Sequence, residues 1–215
     1  MPRRAVVYFD YMCSYSWRLA ELIEMTSDDS DLRFDWRHFS IYQYDHDQRT
    51  ARGVLGNGQA HWQLWNQKID DGDGSGCKGL LPFLASAAAR RQGEAGYRRF
   101  RLGLLRAAHL EYRMLDRTTI IDVAIDAELH MPSFFEELSN PESRTVLAQE
   151  HTSAVQADVV TTPTIVFPGS HTAHLRLQQL PHDASEAVNL LVDTHRLLER
   201  YPFLHTLTRP ATKGN

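Results

Sequence analysis

An α/β fold is predicted for this chain, with a short sheet split in sequence by a long all-helical stretch. Three observations predict it. A β-branched and aromatic strand pattern runs into a helix and a second strand within the first ~40 residues, the apolar period turns helical between Leu80 and Ala157, and a strand pattern returns at Thr164–Phe167. The 215 residues are 42 % apolar and 23 % charged, the composition of a folded globular chain. The 23 basic against 27 acidic side chains leave a net charge of −4 and no long-range field for a phosphate backbone, so no nucleic acid is expected as partner.

Ala5 to Asp10 reads as a short buried strand, because β-branched and aromatic side chains fit a pleated sheet. A helix follows, with Ser14 or Ser16 able to cap it and Leu19, Leu22 and Ile23 on one face. The Asp28–Asp31 cluster breaks the chain. Beyond it Leu32, Phe34, Trp36 and His38 alternate with Arg33, Asp35 and Arg37 as in a half-buried second strand.

From Tyr44 to Gly79 the chain is polar and glycine-rich, and is expected to be loop with one short helix around His61–Ile69. Tyr97, Phe100, Leu104, Ala107 and Ala108 then share a helical stripe, as do Ile120, Val123, Ala124 and Ala127, while Pro132 and Pro141 sit where new helices can begin. After Thr164–Phe167, a Pro-Gly turn leads to a partner strand at Ala173–Leu177. A last helix, Asp183 to Glu199, is expected to bury Ala187, Leu191 and Leu198. This order describes a thioredoxin-like fold with an inserted all-helical subdomain: residues 1–43 and 158–215 form the thioredoxin-like domain, and 44–157 the loop plus helical insertion.

The apolar run Ala5–Phe9 is shorter than the roughly 7–15 residues of a secretory signal core, and no stretch approaches the ~18 of a membrane span. With only Cys13 and Cys77, a disulfide-stapled secreted scaffold is excluded, and a cytoplasmic location with no membrane partner is expected. No zinc spacing occurs among the eleven histidines, His171 and His174 included. The Asp70–Asp73 run lacks the glutamate of an EF-hand. No metal is therefore assigned.

Cys13 follows the first strand and opens the first helix, where free amides and the helix dipole favour an anion. Cysteines in such a place are commonly the nucleophiles of thiol–disulfide exchange, and no nearby sequence position places a carboxylate against this one. A buried structural cysteine is the other reading of the same residue. Thr161-Thr162-Pro163-Thr164 stands immediately before the third strand, where proline is tolerated.

Together, Phe9-Asp10-x-x-Cys13-Ser14-Tyr15-Ser16-Trp17, the long helical insertion and Thr162-Pro163-Thr164 resemble the DsbA family over nearly the whole chain. The resemblance implies an oxidoreductase with Cys13 as catalytic thiolate and a cis Pro163 beside it. Ser14, Tyr15, Trp17, Thr162 and Pro163 would then line the substrate. The helices Tyr97–Ala108, Ile120–Ala127 and Phe134–Leu138 are similar to the insertion of cytoplasmic DsbA-like proteins. The ending Tyr201-Pro-Phe-Leu204 with Thr208-Arg-Pro210 is similar to tails of the mycothiol-dependent nitroreductase branch.

Where the family carries Cys-x-x-Cys, this chain has Ser16 in the fourth place. No disulfide can form within the motif, and a mixed disulfide on Cys13 must be cleared by an outside thiol or another cysteine. Ser16 is expected either to donate a hydrogen bond to the Cys13 thiolate or to serve only the first helical turn. Cys77 is the one internal thiol that could resolve the intermediate, or a passive loop cysteine. His61, Trp62 and Trp65 are placed either over Cys13 or in the core. No tightly bound cofactor is expected. Glutathione or mycothiol would be co-substrate, a small molecule or a protein disulfide the substrate, and a homodimer is left open. The competing readings are a glutathione- or mycothiol-dependent isomerase, transferase or nitroreductase, resembling 2-hydroxychromene-2-carboxylate isomerase and the kappa glutathione transferases, and a non-catalytic binding protein.

Overall fold

The computed structural model describes residues 3–26, 32–55, 61–69, 79–169, 171–204 and 207. Cys77, the glycine-rich runs at 56–58 and 71–76, the Asp28–Asp31 cluster and Thr208–Pro210 lie outside them.

Strand β1 (Arg3–Phe9) is the spine of the sheet, and its second half is buried on both faces. On one side it pairs in parallel with β2 (Leu32–His38), from Arg3 opposite Leu32 to Phe9 opposite His38. On the other it pairs antiparallel with β3 (Thr164–Phe167), Tyr8 opposite Thr164, and β3 carries β4 (His171–His174) at the edge. The order β2-β1-β3-β4 brings the C-terminal end of β1 and the N-terminal end of β3 to the same edge of the sheet. That register places the loop after Phe9 beside the loop before Thr164, though about 150 residues separate them in sequence.

Helix α1 (Ser14–Met25) buries Leu19, Leu22 and Ile23, the stripe expected from the sequence. Neither Ser14 nor Ser16 caps it: Cys13 is the N-cap residue, in extended conformation and without a capping side-chain bond. Helix α2 (Ile41–Ala51) occupies a stretch read as loop and runs across positions 43–44. It has no apolar stripe, Gln43 being its one buried residue, and its signals lie at the end instead. Ser40 caps it through the Gln43 N–H, and Gln43 Oε1 accepts from Leu64 N–H at 2.7 Å. The helix expected around His61–Ile69 shrinks to one turn, Leu64–Asn66.

The helical block follows as α3 (Leu80–Arg90), α4 (Glu94–His109), α5 (Arg117–Asp126), α6 (Met131–Leu138) and α7 (Pro141–Gln156). Prolines stand in the first turn of α6 and α7. There the missing N–H costs nothing. Tyr97, Phe100, Leu104, Ala107, Ile120, Val123, Ala124 and Ala127 are buried as the two stripes require, while Ala108 of the first stripe is half-buried. One continuous apolar cluster joins them to Val7, Phe9, Leu19 and Ile165, so the insertion and the sheet share a core.

Strand β4 lies two residues earlier than the expected Ala173–Leu177. Leu175 and Leu177 do pack against the core, but outside the ladder. Helix α8 (Ala184–Arg200) is capped by Asp183 and buries Ala187 and Leu191 as expected, with His195 rather than Leu198 as its third buried residue.

Candidate active site around Cys13

The sheet register brings Cys13 to the Thr162-Pro163 turn. The half-buried thiol donates to the Thr162 carbonyl at 3.3 Å, and the Thr162–Pro163 bond is cis. That carbonyl carbon is the one bonded to the Pro163 nitrogen, so the sulfur lies against the proline turn. Cys13 occupies the position where a serine or aspartate commonly accepts the first free N–H groups of a helix, and its sulfur turns to the facing loop instead. Thr162 and Pro163 are buried, and the Thr162 hydroxyl has no hydrogen-bond partner among the described residues.

Ser16 does not reach the sulfur. Its hydroxyl is fully buried and accepts from the Asp10 N–H at 3.4 Å, while its own N–H bonds the Cys13 carbonyl. The first-turn role expected for it is the one it fills. Ser14 is exposed beside the cysteine, and Tyr15 is half-buried under two guanidinium groups, Arg18 at 5.9 Å and Arg176 at 5.4 Å from the ring centre. Trp17 packs partly against the core and commits its indole N–H to Glu21 at 3.0 Å. Trp62 and Trp65 belong to the core: Trp62 meets His46 of α2, and Trp65 meets His151 of α7.

Asp10, quoted in the motif, is the residue to which the sequence reading gave no role. It is fully buried, accepts the Met12 N–H at 2.9 Å and the Ile41 N–H at 3.0 Å, and its carbonyl takes the Cys13 N–H at 3.1 Å. One side chain thus ties the cysteine loop to the start of α2. Burial, opposed by those N–H bonds, pushes Asp10 up from the ordinary 3.8 to about 6. A carboxyl raised in the folded state contributes stability that is fully present below pH 4 and lost as the pH rises through 6, here by about 3 kcal/mol. His151 runs the other way: burial holds it down to about 4, so its contribution is present above pH 6.5 and lost as the pH falls. The Asp10 contribution is therefore read as a difference. In urea denaturation, wild type should lose about 3 kcal/mol relative to Asp10→Asn between pH 4 and pH 7. A difference that stays constant over that range contradicts the assignment.

A chain of polar groups supports the loop from below. The Tyr11 hydroxyl and the Ser86 Oγ are 2.8 Å apart, Ser86 Oγ and His38 Nε2 2.8 Å, and His38 Nδ1 and the Glu150 carboxylate 2.8 Å. Burial keeps His38 neutral against the pull of Glu150. The proton order is then Tyr11 to Ser86, Ser86 to His38, and His38 to Glu150. Burial alone would raise Glu150, but His38 and Arg90 hold it down to about 2. The order serine–histidine–carboxylate matches a hydrolase triad. Ser86 and Tyr11 are nevertheless fully buried, and the serine has no path to a substrate. His109 completes the underside, with Nε2 2.8 Å from the Tyr11 carbonyl.

Among the described residues no cluster of three or more His, Cys, Asp or Glu side chains could hold a metal ion, and no helix is long and apolar enough to cross a membrane. A groove of about 550 Å³ along α4 does not include Cys13. Its Arg98, Arg106 and Arg113 are paired with Glu24, Glu21 and Asp122.

No family model and no curated protein matches the chain. Solved structures do. A 2-hydroxychromene-2-carboxylate isomerase is similar at TM-score 0.61 and 14% identity, over 94% of this chain and 100% of that one. A probable DsbA oxidoreductase from Streptomyces coelicolor is similar at TM-score 0.57 and 14% identity, over 98% and 94% of the two chains. The cytosolic disulfide reductase DsbM from Pseudomonas aeruginosa, solved with GSH, is similar at TM-score 0.54 and 14% identity, over 94% and 100%. With β1-α1-β2 and β3-β4-α8 joined in one sheet and α2 to α7 between β2 and β3, the chain has the thioredoxin-like fold with a helical insertion that these proteins share.

Proposed function

We propose that the protein is a single-thiol disulfide-exchange enzyme, in which Cys13 attacks a disulfide and passes through a mixed disulfide that an outside thiol clears. The observation that carries this reading is the placement of Cys13, half-buried at the N-terminus of α1 with its sulfur against the carbonyl before the cis Pro163. Ser14, next to the cysteine, is exposed. The DsbM structure solved with GSH, which shares this fold, supports a low-molecular-weight thiol as partner.

The exchange balances without a second cysteine. The Cys13 thiol gives its proton to solvent, and its sulfur bonds one sulfur of R–S–S–R while the other leaves as thiolate with the bonding pair. A second thiol then attacks the mixed disulfide and returns Cys13 to its reduced form. Ser16 cannot act as the resolving nucleophile, since exchange needs a thiolate and a serine hydroxyl does not cleave a disulfide. The test is turnover of bis(2-hydroxyethyl) disulfide with excess glutathione. Wild type should accelerate it, Cys13→Ser should fall to the uncatalysed rate, and equal rates in the two proteins overturn the proposal.

A further inference from the structure

Two arginines, Arg18 and Arg176, converge on Tyr15, two residues from Cys13. Arg176, two residues beyond β4, donates to Thr161 Oγ1 at 3.0 Å and lies 5.4 Å from the Tyr15 ring centre, spanning the two loops that bracket the cysteine. Arg18 covers Tyr15 and Trp17 at 5.9 and 5.5 Å. Several arginines of this acidic chain have a carboxylate, as in Arg37–Asp35, Arg90–Glu150, Arg91–Glu142, Arg98–Glu24, Arg106–Glu21 and Arg113–Asp122. Arg18 and Arg176 have none among the described residues. The nearest candidate on α1, Glu21, is taken by Arg106 through both carboxylate oxygens, at 2.6 and 2.7 Å. In the same turn as Thr161, the buried Thr162 hydroxyl has no partner among the described residues, and the Thr162 carbonyl accepts from the Cys13 thiol. Two guanidinium groups without a carboxylate meet on Tyr15, two residues from Cys13, one of them is bonded to Thr161, and the next residue carries an orphaned hydroxyl: these are donors that an anionic ligand would satisfy.

We infer that Arg176 and Arg18 hold the carboxylates of the disulfide that Cys13 attacks, so that the natural co-substrate is a carboxylate-bearing peptide thiol of the glutathione type rather than an uncharged sugar-linked thiol such as mycothiol. The inference rests on the exchange reading of Cys13. The guanidinium fork suits a carboxylate and is weakly hydrated, and Tyr15 fixes both side chains by stacking, which reduces the entropy lost on binding. The covalent step is the exchange already balanced above, and the arginines change neither its electrons nor its protons.

The experiment compares three aliphatic disulfides that differ in charge: glutathione disulfide, neutral bis(2-hydroxyethyl) disulfide and dicationic cystamine. Rates of adduct formation on Cys13 are followed by intact mass at low ionic strength. Wild type should react fastest with glutathione disulfide and slowest with cystamine. Arg176→Gln and Arg18→Gln should each lower the ratio of the glutathione disulfide rate to the neutral rate by about three- to tenfold, and raised salt should shrink the wild-type ratio. Arg176→Lys should recover part of the loss. Arg52→Gln removes a charge roughly 16 Å along α2 from its Asp10 end, and should leave the ratio as in wild type. A Cys13 that reacts with all three at rates blind to charge, or a ratio that the arginine substitutions do not move, overturns the carboxylate assignment alone. A Cys13 that reacts with none overturns the exchange reading and this inference with it.

Discussion

Glu150→Ala is expected to lower the unfolding free energy by about 3–5 kcal/mol, the range for removing one partner of a buried charge pair. Glu150 receives the Arg90 guanidinium, the His38 backbone N–H at 2.9 Å and the His38 ring. Truncation leaves Arg90, most of whose charge is out of water, with only the Trp36 carbonyl and the Tyr97 hydroxyl. It also leaves two donors of the buried His38 unpaired. Chemical denaturation at pH 7 reads the loss directly, and a change below about 1 kcal/mol would mean the pair is solvent-screened. The pH sign is fixed as well. Glu150 is held down to about 2, so its stabilisation is present above the ordinary 4.5 and lost as the pH falls toward 2.

Ser16→Cys should add an internal disulfide within the first turn of α1. Residue 16 lies one turn along α1 from Cys13, its N–H bonded to the Cys13 carbonyl at 3.0 Å. Positions three apart on a helix face each other at Cβ separations of about 5–6 Å, within reach of a disulfide after a small adjustment of the first turn. The new thiol would attack the mixed disulfide at Cys13 and release the first thiol. The pair could then be reduced by a dithiol, which becomes oxidised. Because that step is intramolecular, oxidation of dithiothreitol by the variant should exceed wild type by at least about tenfold. The substitution replaces the oxygen that accepts the Asp10 N–H, at a stability cost of about 1 kcal/mol. A variant that folds but stays a dithiol under oxidised glutathione contradicts the geometry proposed for the first turn.

The parts of this architecture that announce themselves in sequence are those with a period. β1, β2 and the helical stripes of α4 and α5 place apolar residues at fixed intervals, and the core uses those residues. Helix α2 has no stripe to read. Its information is a cap at Ser40 and two tertiary bonds, from the Ile41 N–H to Asp10 and from the Leu64 N–H to Gln43, which exist only once the chain has folded. β4 was displaced because Leu175 and Leu177 look like ladder residues but are packed against the core from outside it. At the site, Cys13 and Thr162-Pro163 were legible because each is a local pattern at a strand end. Asp10 stood in the quoted motif, yet its role depends on burial, which composition does not show. The Tyr11–Ser86–His38–Glu150 chain joins residues separated by 75, 48 and 112 positions, and Arg176 reaches Thr161 from across β3 and β4. Contacts of that range follow from sheet register, and no spacing rule contains them.

The measurement that bears most directly on the single-thiol account is peptide-mapped intact mass of wild-type protein after treatment with oxidised glutathione. The expected product carries one glutathione on Cys13, reversed by a small thiol, with no internal crosslink. A Cys13–Cys77 disulfide in its place, or a Cys13 left unmodified while the protein is folded, would contradict the account.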